Sequence, residues 1–379
     1  GKPFDRLHFK VEGMQEYTAL MYLPERAPHD LFTRESRRGL QLYVKNVFIM
    51  DECRELMPEY LRFVRGLVDS PDIPLNVSRE MVQQDKVIAA MRKTLTRKWL
   101  GRFKEILEGE RERYEQLWSE FGQAIKEGFH YEPKNKERLQ KLVLFRTTHG
   151  AGWSTLDEYI ERAPEGQDKI YYLSGDKLET LRDSPQLEIF AAKGVEVLLF
   201  VDPIDEIMVE NLAEYEGKAL QSVARGEVDL DAIAKKPDDD DAAEEADKGD
   251  EDRPELAALL AVLARELAED VAEVRISSRL TGSAACLVTP EGAMSPQIER
   301  MMQAMGQAAP PTKRMLEVNP NHPLIQRLAA IYANDPDDKR VAEYGHMLHD
   351  QVLLSEGGQP GNPARFARSI ADVMAAALA

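Results

Sequence analysis

The residue types best suited to chemistry lie in the stretch Leu75-Asn76-Val77-Ser78-Arg79-Glu80-Met81-Val82-Gln83. Ser78 is a good N-cap for a helix predicted to run to about Glu108. Arg79 then falls in the first turn, where exposed backbone N–H groups already carry partial positive charge and a further cation is unfavourable. An anion docking on those N–H groups reverses the balance, as phosphates do at helix starts. Gln83 is one turn on, at i+4, and shares the face. Guanidinium, amide and free N–H groups together suit a terminal phosphate. The plainer alternative is an arginine paired with Asp69 or Glu80, and spacing alone leaves both open.

A second group is Met294, Ile298, Met301, Met302 and Met305, with four of the fourteen methionines inside twelve residues. Unbranched, polarizable methionines line surfaces that repack around varied partners. A buried core helix gives the same pattern. Other chemistry is thinly represented. Cys53 and Cys286 stand far apart with no CxxC, which argues against a disulfide framework or a structural zinc site. Among seven histidines there is no HExxH; His346 and His349 share a helical face and read as two solvated side chains, so no metal is expected. No Ser/His/Asp or Cys/His set can be assembled.

The elements that must position these residues read as α/β in the first part of the chain. Leu7–Val11, Tyr17–Leu23 and Gln41–Phe48 are β-rich and punctuated by Pro24, Pro28 and Gly39. Asp51–Val68 reads as a helix. In the helix after Ser78, Ile88, Met91, Leu95, Trp99, Phe103 and Ile106 recur every three or four residues and mark one buried face. Helical patterns follow over Tyr114–Ile125 and Lys134–Leu142. Strand Lys169–Leu173, a helical stretch Lys177–Lys193 broken near Pro185, and strand Val195–Val201 make a βαβ unit and predict a parallel sheet. Its turn Ser174-Gly175-Asp176 lacks GxGxxG, so a dinucleotide role is poorly supported, and Gly150-Ala151-Gly152 reads as a plain loop.

Charge divides the chain. Of its 379 residues, 49 are Lys or Arg and 67 are Asp or Glu, a net of −18, which disfavours nucleic-acid binding by phosphate neutralisation. From Gly226 to Asp252 there are thirteen acids against three lysines, a local net of −10. Such a run repels itself and cannot bury a core, so it reads as a linker or loop. No eighteen-residue apolar run exists, so no membrane helix is expected. The start, Gly1-Lys2-Pro3-Phe4, has no apolar signal segment and no initiator Met and reads as a fragment or processed chain. Beyond the acidic run, helix Pro254–Glu269, strands Val271–Ser277 and Ala284–Thr289, and helix Met294–Met305 precede three final helices, Pro323–Ala333, Asp338–Ser355 and Asn362–Leu378. Their stripes are Leu324, Leu328 and Ile331, then Leu348, Val352 and Leu353, then Phe366, Ile370, Val373 and Met374. Three stripes in so small a domain favour a helix-bundle dimer; burial against the domain's own strands is the alternative.

Several stretches resemble the heat-shock protein 90 chaperone family of the bacterial type. They are VEGMQEYTALMYLPERAPHDLF, LYVKNVFIMDECRELMPEYLRFVRGLVDSPDIPLNVSREMVQQDKV and LDEYIERAPEGQDKIYYLSG for its middle domain, and RLTGSAACLVTP, LEVNPNHPLIQRL and ARFARSIADVMAAAL for its C-terminal dimerisation domain. The resemblance implies an α/β and α+β multidomain fold. A middle domain (1–225) holds two αβα sandwich units, 1–110 and 154–225, joined by helices over 111–153. The acidic segment 226–253 follows, then a mixed C-terminal domain (254–379) with a helical dimerisation bundle. It also implies that the family's ATP-binding domain has no counterpart here, so that ATP with Mg2+ is bound mainly by that missing part and this chain alone hydrolyses none. By the same resemblance Arg79, with Gln83 beside it and Asn76 assisting, reaches the ATP γ-phosphate. Glu206, Ile207, Met294, Ile298, Met301 and Met302 contact unfolded or partly folded clients. Homodimerisation, possible cochaperones and a cytoplasmic location are implied as well. A non-catalytic dimeric adaptor is the rival reading.

Overall fold

A computed structural model describes residues 2–13, 15–33, 39–73, 86–230, 233, 254–307 and 312–378. The chain divides into two units: Gly1–Leu144 with Trp153–Asp157 and Ile207–Ala213, and Phe145–Gly152 with Glu158–Glu206 and Glu214–Ala379. Most of the acidic run, from 231 to 253 except 233, lies outside the described residues.

The first unit is built on five strands: β1 (Asp5–Val11), β2 (Tyr17–Leu23), β3 (Leu40–Val44), β4 (Val47–Cys53) and β5 (Arg65–Asp69), in the order β1-β2-β5-β3-β4. Strand β2 shows the two-residue period of a half-buried strand: Tyr17, Ala19, Met21 and Leu23 point inward, while Leu20 and Tyr22 are exposed. Helices α1 (Lys86–Gly109) and α2 (Arg111–Lys126) follow. The face of α1 read from sequence is the buried one, from Ile88 to Ile106. Two short helices, α3 (Gly128–Tyr131) and α4 (Lys136–Gln140), close the unit. At the junction of α2 and α3 the buried Arg62 grips Glu127 with both guanidinium arms, at 2.6 and 2.9 Å, and donates Nε to the Leu31 carbonyl at 2.8 Å. Such a bidentate pair carries geometry as well as energy.

The β-rich run Gln41–Phe48 is β-structure as expected, folded back on itself. It is the β3–β4 hairpin, reversed at Lys45-Asn46, both with positive φ (51° and 65°), as a two-residue hairpin turn of matching twist requires. Asp51–Val68 is not a helix. It comprises the end of β4, two single 3-10 turns (Arg54–Leu56 and Glu59–Leu61) and the start of β5. Pro58 forces Met57 into an extended conformation (φ −134°, ψ 141°), which ends any helix there. Leu56, Tyr60, Leu61, Phe63 and Val64 are all fully buried, so their spacing reflects burial on every side. Gly66, at φ +137°, passes so close to β2 that a Cβ would lie 2.1 Å from the Leu20 carbonyl oxygen, which only glycine tolerates.

The second sheet has six strands: β6 (Phe145–Thr147), β7 (Gly150–Ser154), β8 (Lys169–Ser174), β9 (Leu198–Phe200), β10 (Glu214–Tyr215) and β11 (Lys218–Ser222), in the order β10-β11-β8-β9-β6-β7. Gly150-Ala151-Gly152 therefore belongs to a strand and is not a plain loop. Helices α5 (Leu156–Arg162), α6 (Leu178–Arg182), α7 (Glu188–Ala192) and α8 (Ile204–Leu212) connect the strands. Both β9 and β11 run parallel to β8, one on each side. The expected parallel sheet is present. The buried Tyr159 hydroxyl ties it together, donating to the Glu196 carbonyl at 2.8 Å and accepting from Tyr171 N at 3.0 Å and Gln167 Nε2 at 2.9 Å.

The C-terminal part holds α9 (Pro254–Glu266), β12 (Val271–Ile276), β13 (Ala285–Val288), α10 (Pro296–Ala304), β14 (Arg314–Val318), α11 (Pro323–Asn334), α12 (Lys339–Ser355) and α13 (Pro363–Leu378). Its sheet runs β12-β14-β13, with β14 in the middle. Leu259, Leu263, Leu287, Leu316, Ile325 and Leu348 join one core beneath α9, α11 and α12. The whole chain is a mixed α/β and α+β protein with several mixed sheets. Among the described residues no helix is long and apolar enough to cross a membrane.

Candidate functional site

Arg79, Gln83 and Asn76 fall in 74–85, outside the described residues. The structure supplies the flanks of that stretch. β5 and the buried Ile73 precede it, and α1 follows from Lys86.

The methionine-rich segment forms α10. Ser295 caps it, accepting a hydrogen bond from Ile298 N at 3.2 Å, with Pro296 in the first turn, where its missing N–H costs nothing. Met294, Ile298, Met301 and Met302 are half-buried and Met305 is exposed, so the helix presents apolar surface on the outside. Glu206, at the start of α8, is buried and accepts a hydrogen bond from Ser174 Oγ at 2.6 Å. Ile207, the next residue, is half-buried. A depression of about 390 Å³ is lined by Val201, Pro203, Glu206, Ile298 and Met301 together with Asp176 and Arg300. Glu206 thus shares one surface feature with Ile298 and Met301, more than ninety positions further along the chain, and its lining mixes apolar and charged residues.

The three C-terminal stripes divide. Leu328, Leu348 and Val352 are buried in the chain's own core, and Leu324, Ile331 and Leu353 pack against it. Those two stripes are accounted for by the strands beneath them. Helix α13 differs: it has no buried residue, and Ile370, Val373, Met374 and Leu378 are exposed, with Phe366 half-buried. Leu354, near the end of α12, is exposed as well.

A feature that sequence reasoning missed lies at the centre of the C-terminal sheet. Glu317 on β14 is buried together with Arg279. Arg279 donates Nε to Glu317 Oε2 at 2.8 Å and Nη2 to Oε1 at 3.3 Å, and reaches the carbonyls of Val223 and Gly226. Arg275 and the Ser277 hydroxyl complete the shell around the same carboxylate. Beside it, the Glu188 carboxylate on α7 accepts from the backbone N–H groups of Thr281, Gly282 and Ser283. Burial pushes the Glu188 carboxyl toward higher pKa, but those donors outweigh it and hold it below the ordinary carboxylate value. The only sequence signal was a charged residue inside a short apolar run, Met315-Leu316-Glu317-Val318.

His349 is buried, not solvated as expected. It lies on the inner side of α12, and desolvation lowers its pKa. Among the described residues no group of three or more His, Cys, Asp or Glu side chains could hold a metal ion. Both cysteines are buried and free.

The full length, residues 1–379, matches the family described as Hsp90 protein. The chain belongs to the heat-shock protein 90 family. It is 48% identical over 377 residues to the chaperone protein HtpG of Frankia casuarinae, 45% over 377 residues to that of Geobacter sulfurreducens and 44% over 375 residues to that of Streptomyces coelicolor. These alignments cover 98–99% of the chain but 57% of each relative, so the chain spans a little over half the length of the curated relatives it matches.

Proposed function

We propose that this chain is the client-holding and dimerising part of an ATP-dependent chaperone. The observation that carries the reading is the 48% identity, sustained over 377 residues, to a protein named as a chaperone. In this reading residues 1–225 act as the middle domain and 254–379 as the dimerisation domain, with the acidic segment between them. Arg79, with Gln83 and Asn76, is donated to the γ-phosphate of an ATP whose Mg2+ and base are held by a separate nucleotide-binding domain. An arginine supplied between domains stabilises charge developing in the transition state and is worth roughly 10³–10⁵ in rate. In a protein carrying both parts, Arg79→Ala is expected to lower ATP turnover at least tenfold; near-normal turnover refutes the role.

Client contact falls on the depression shared by Glu206, Ile298 and Met301 and on the adjoining face of Met302. Half-buried methionines suit unfolded chains, because they fill irregular apolar shapes without a fixed partner. Dimerisation falls on α13, whose apolar face the chain leaves exposed. The location that goes with this reading is the cytoplasm. The test is suppression of aggregation of a heat-unfolded unrelated enzyme. Met301→Glu with Met302→Glu is expected to weaken holding severalfold while leaving the circular dichroism spectrum intact. Unchanged holding refutes the assignment of this surface, and loss of the fold places both residues in the core instead.

A further inference from the structure

From β8 the chain passes to β9 on one side, then returns by α8 to β10 and β11 on the other. This reversal leaves a crevice at the carboxyl ends of β8 and β11, the position where open α/β sheets bind ligands. A cavity of about 210 Å³ occupies it. Its lining includes Ser174, Gly175 and Asp176 at the end of β8 and after it, and Ser222 and Arg225 at the end of β11 and after it. It also includes Ser295 and Pro296 at the start of α10, Thr289 and the Gly357-Gly358 turn.

The charges in this cavity are not balanced. Four cations line it, Lys177, Arg225, Arg300 and Arg314, against three acids, Asp176, Glu206 and Glu356. Arg300 is paired with Asp176 at 3.1 Å, Arg314 is paired closely with Glu356, and Glu206 is held by Ser174. Arg225 and Lys177 have no side-chain partner among the described residues. An excess of positive charge in a concave wall of a chain with net −18 is a local reversal. The partial positive charge at the start of α10 adds to it. Hydroxyls of Ser222, Thr289 and Ser295 lie around the same space.

We propose that this cavity binds a small phosphate monoester of a polyol, with the phosphate on Arg225 and Lys177 and the hydroxyls of the ligand on the serine and threonine side chains. The volume lies below the roughly 300–1,000 Å³ of pockets for drug-sized ligands, which favours a ligand smaller than a nucleotide. A guanidinium fork is the side chain best matched to phosphate oxygens.

The test is isothermal titration of the 379-residue chain with glycerol 3-phosphate, inorganic phosphate and glycerol. Glycerol 3-phosphate is expected to bind at one saturable site, more tightly than inorganic phosphate, and glycerol not at all. Arg225→Ala removes a charge-assisted contact and is expected to weaken binding about tenfold or more. Lys177→Ala, on the exposed side, weakens it about threefold and does not threaten the fold. Arg327→Ala, an exposed arginine on α11 outside the cavity, changes nothing. No saturable binding to the wild-type chain overturns the proposal, as does equal affinity in the Arg225→Ala and wild-type chains. Equal affinity for inorganic phosphate and glycerol 3-phosphate overturns the polyol assignment.

Discussion

Replacing Arg279 by Met tests whether the buried pair with Glu317 holds the C-terminal sheet together. Arg279 is 1% exposed and Glu317 2%, so neither charge is hydrated. Removing the guanidinium strips Glu317 of its closest cation and leaves the Val223 and Gly226 carbonyls without the donor they now share. Breaking a buried pair from one side costs about 3–5 kcal/mol, and a buried carbonyl left unpaired costs about 1–3 kcal/mol. Arg275 and Ser277 still reach the Glu317 carboxylate, which brings the sum toward the lower end. The expected loss is about 4 kcal/mol. With a urea slope of about 2 kcal/mol per molar, the midpoint falls by about 2 M. The readout is far-ultraviolet circular dichroism, because Trp99, Trp118 and Trp153 all belong to the other unit and their fluorescence does not report on this sheet. Arg279→Met combined with Glu317→Leu should cost less than the two single changes added, because the double variant strands no charge. A single-variant loss below about 1 kcal/mol, or strict additivity, refutes the reasoning.

Two further predictions rest on burial. The Cys53 thiol is pushed up to about 12 by burial, reinforced by Glu55, and burial pushes Cys286 higher still, reinforced by Glu317. Thiolate is the reactive form, so neither cysteine should be alkylated by iodoacetamide in the native chain at pH 8, and both should react after unfolding; rapid native labelling contradicts the burial. Because unfolded thiols ionise near 8.5 while the folded ones stay neutral, their contribution to stability is complete below that pH and is lost as pH rises from about 9 toward 12. If the proposed dimer forms through α13, Ile370→Asp with Val373→Asp should leave a species of 42.9 kDa in light scattering, with the urea midpoint lowered toward that of the separated chain, since a partner that binds only the folded state stabilises it. A dimer that survives both changes refutes the assignment of the interface to α13.

The legible parts of the fold were those with a strong local period. The buried face of α1, the βαβ order of β8, α6–α7 and β9, and the last three helices were all readable from spacing. The helix misread over Asp51–Val68 has a physical cause: burial on all sides erases periodicity. The run from Leu56 to Val64 is apolar enough for a helix, and only Pro58 and Gly66 betray the turn and the strand crossing. Strand β14 was overlooked because its Glu317 looks like a surface residue until Arg279, thirty-eight positions away, is brought against it. The C-terminal stripes were visible, but a stripe does not say what covers it. Leu328 and Leu348 face the domain's own strands, and only α13 leaves its stripe open. The cavity at the β8 switch point was invisible in sequence because its walls come from seven separate segments between Tyr172 and Gly358.

Helix α13 has sixteen residues and buries none of them. Isolated peptides of that length hover near the helix–coil midpoint in water, since the first turn is unfavourable and each added residue gains little. In the proposed dimer, ordering of this segment and docking of the second copy therefore become one thermodynamic event. Dilution that dissociates that dimer should then lower ellipticity in step, while the sheets remain untouched.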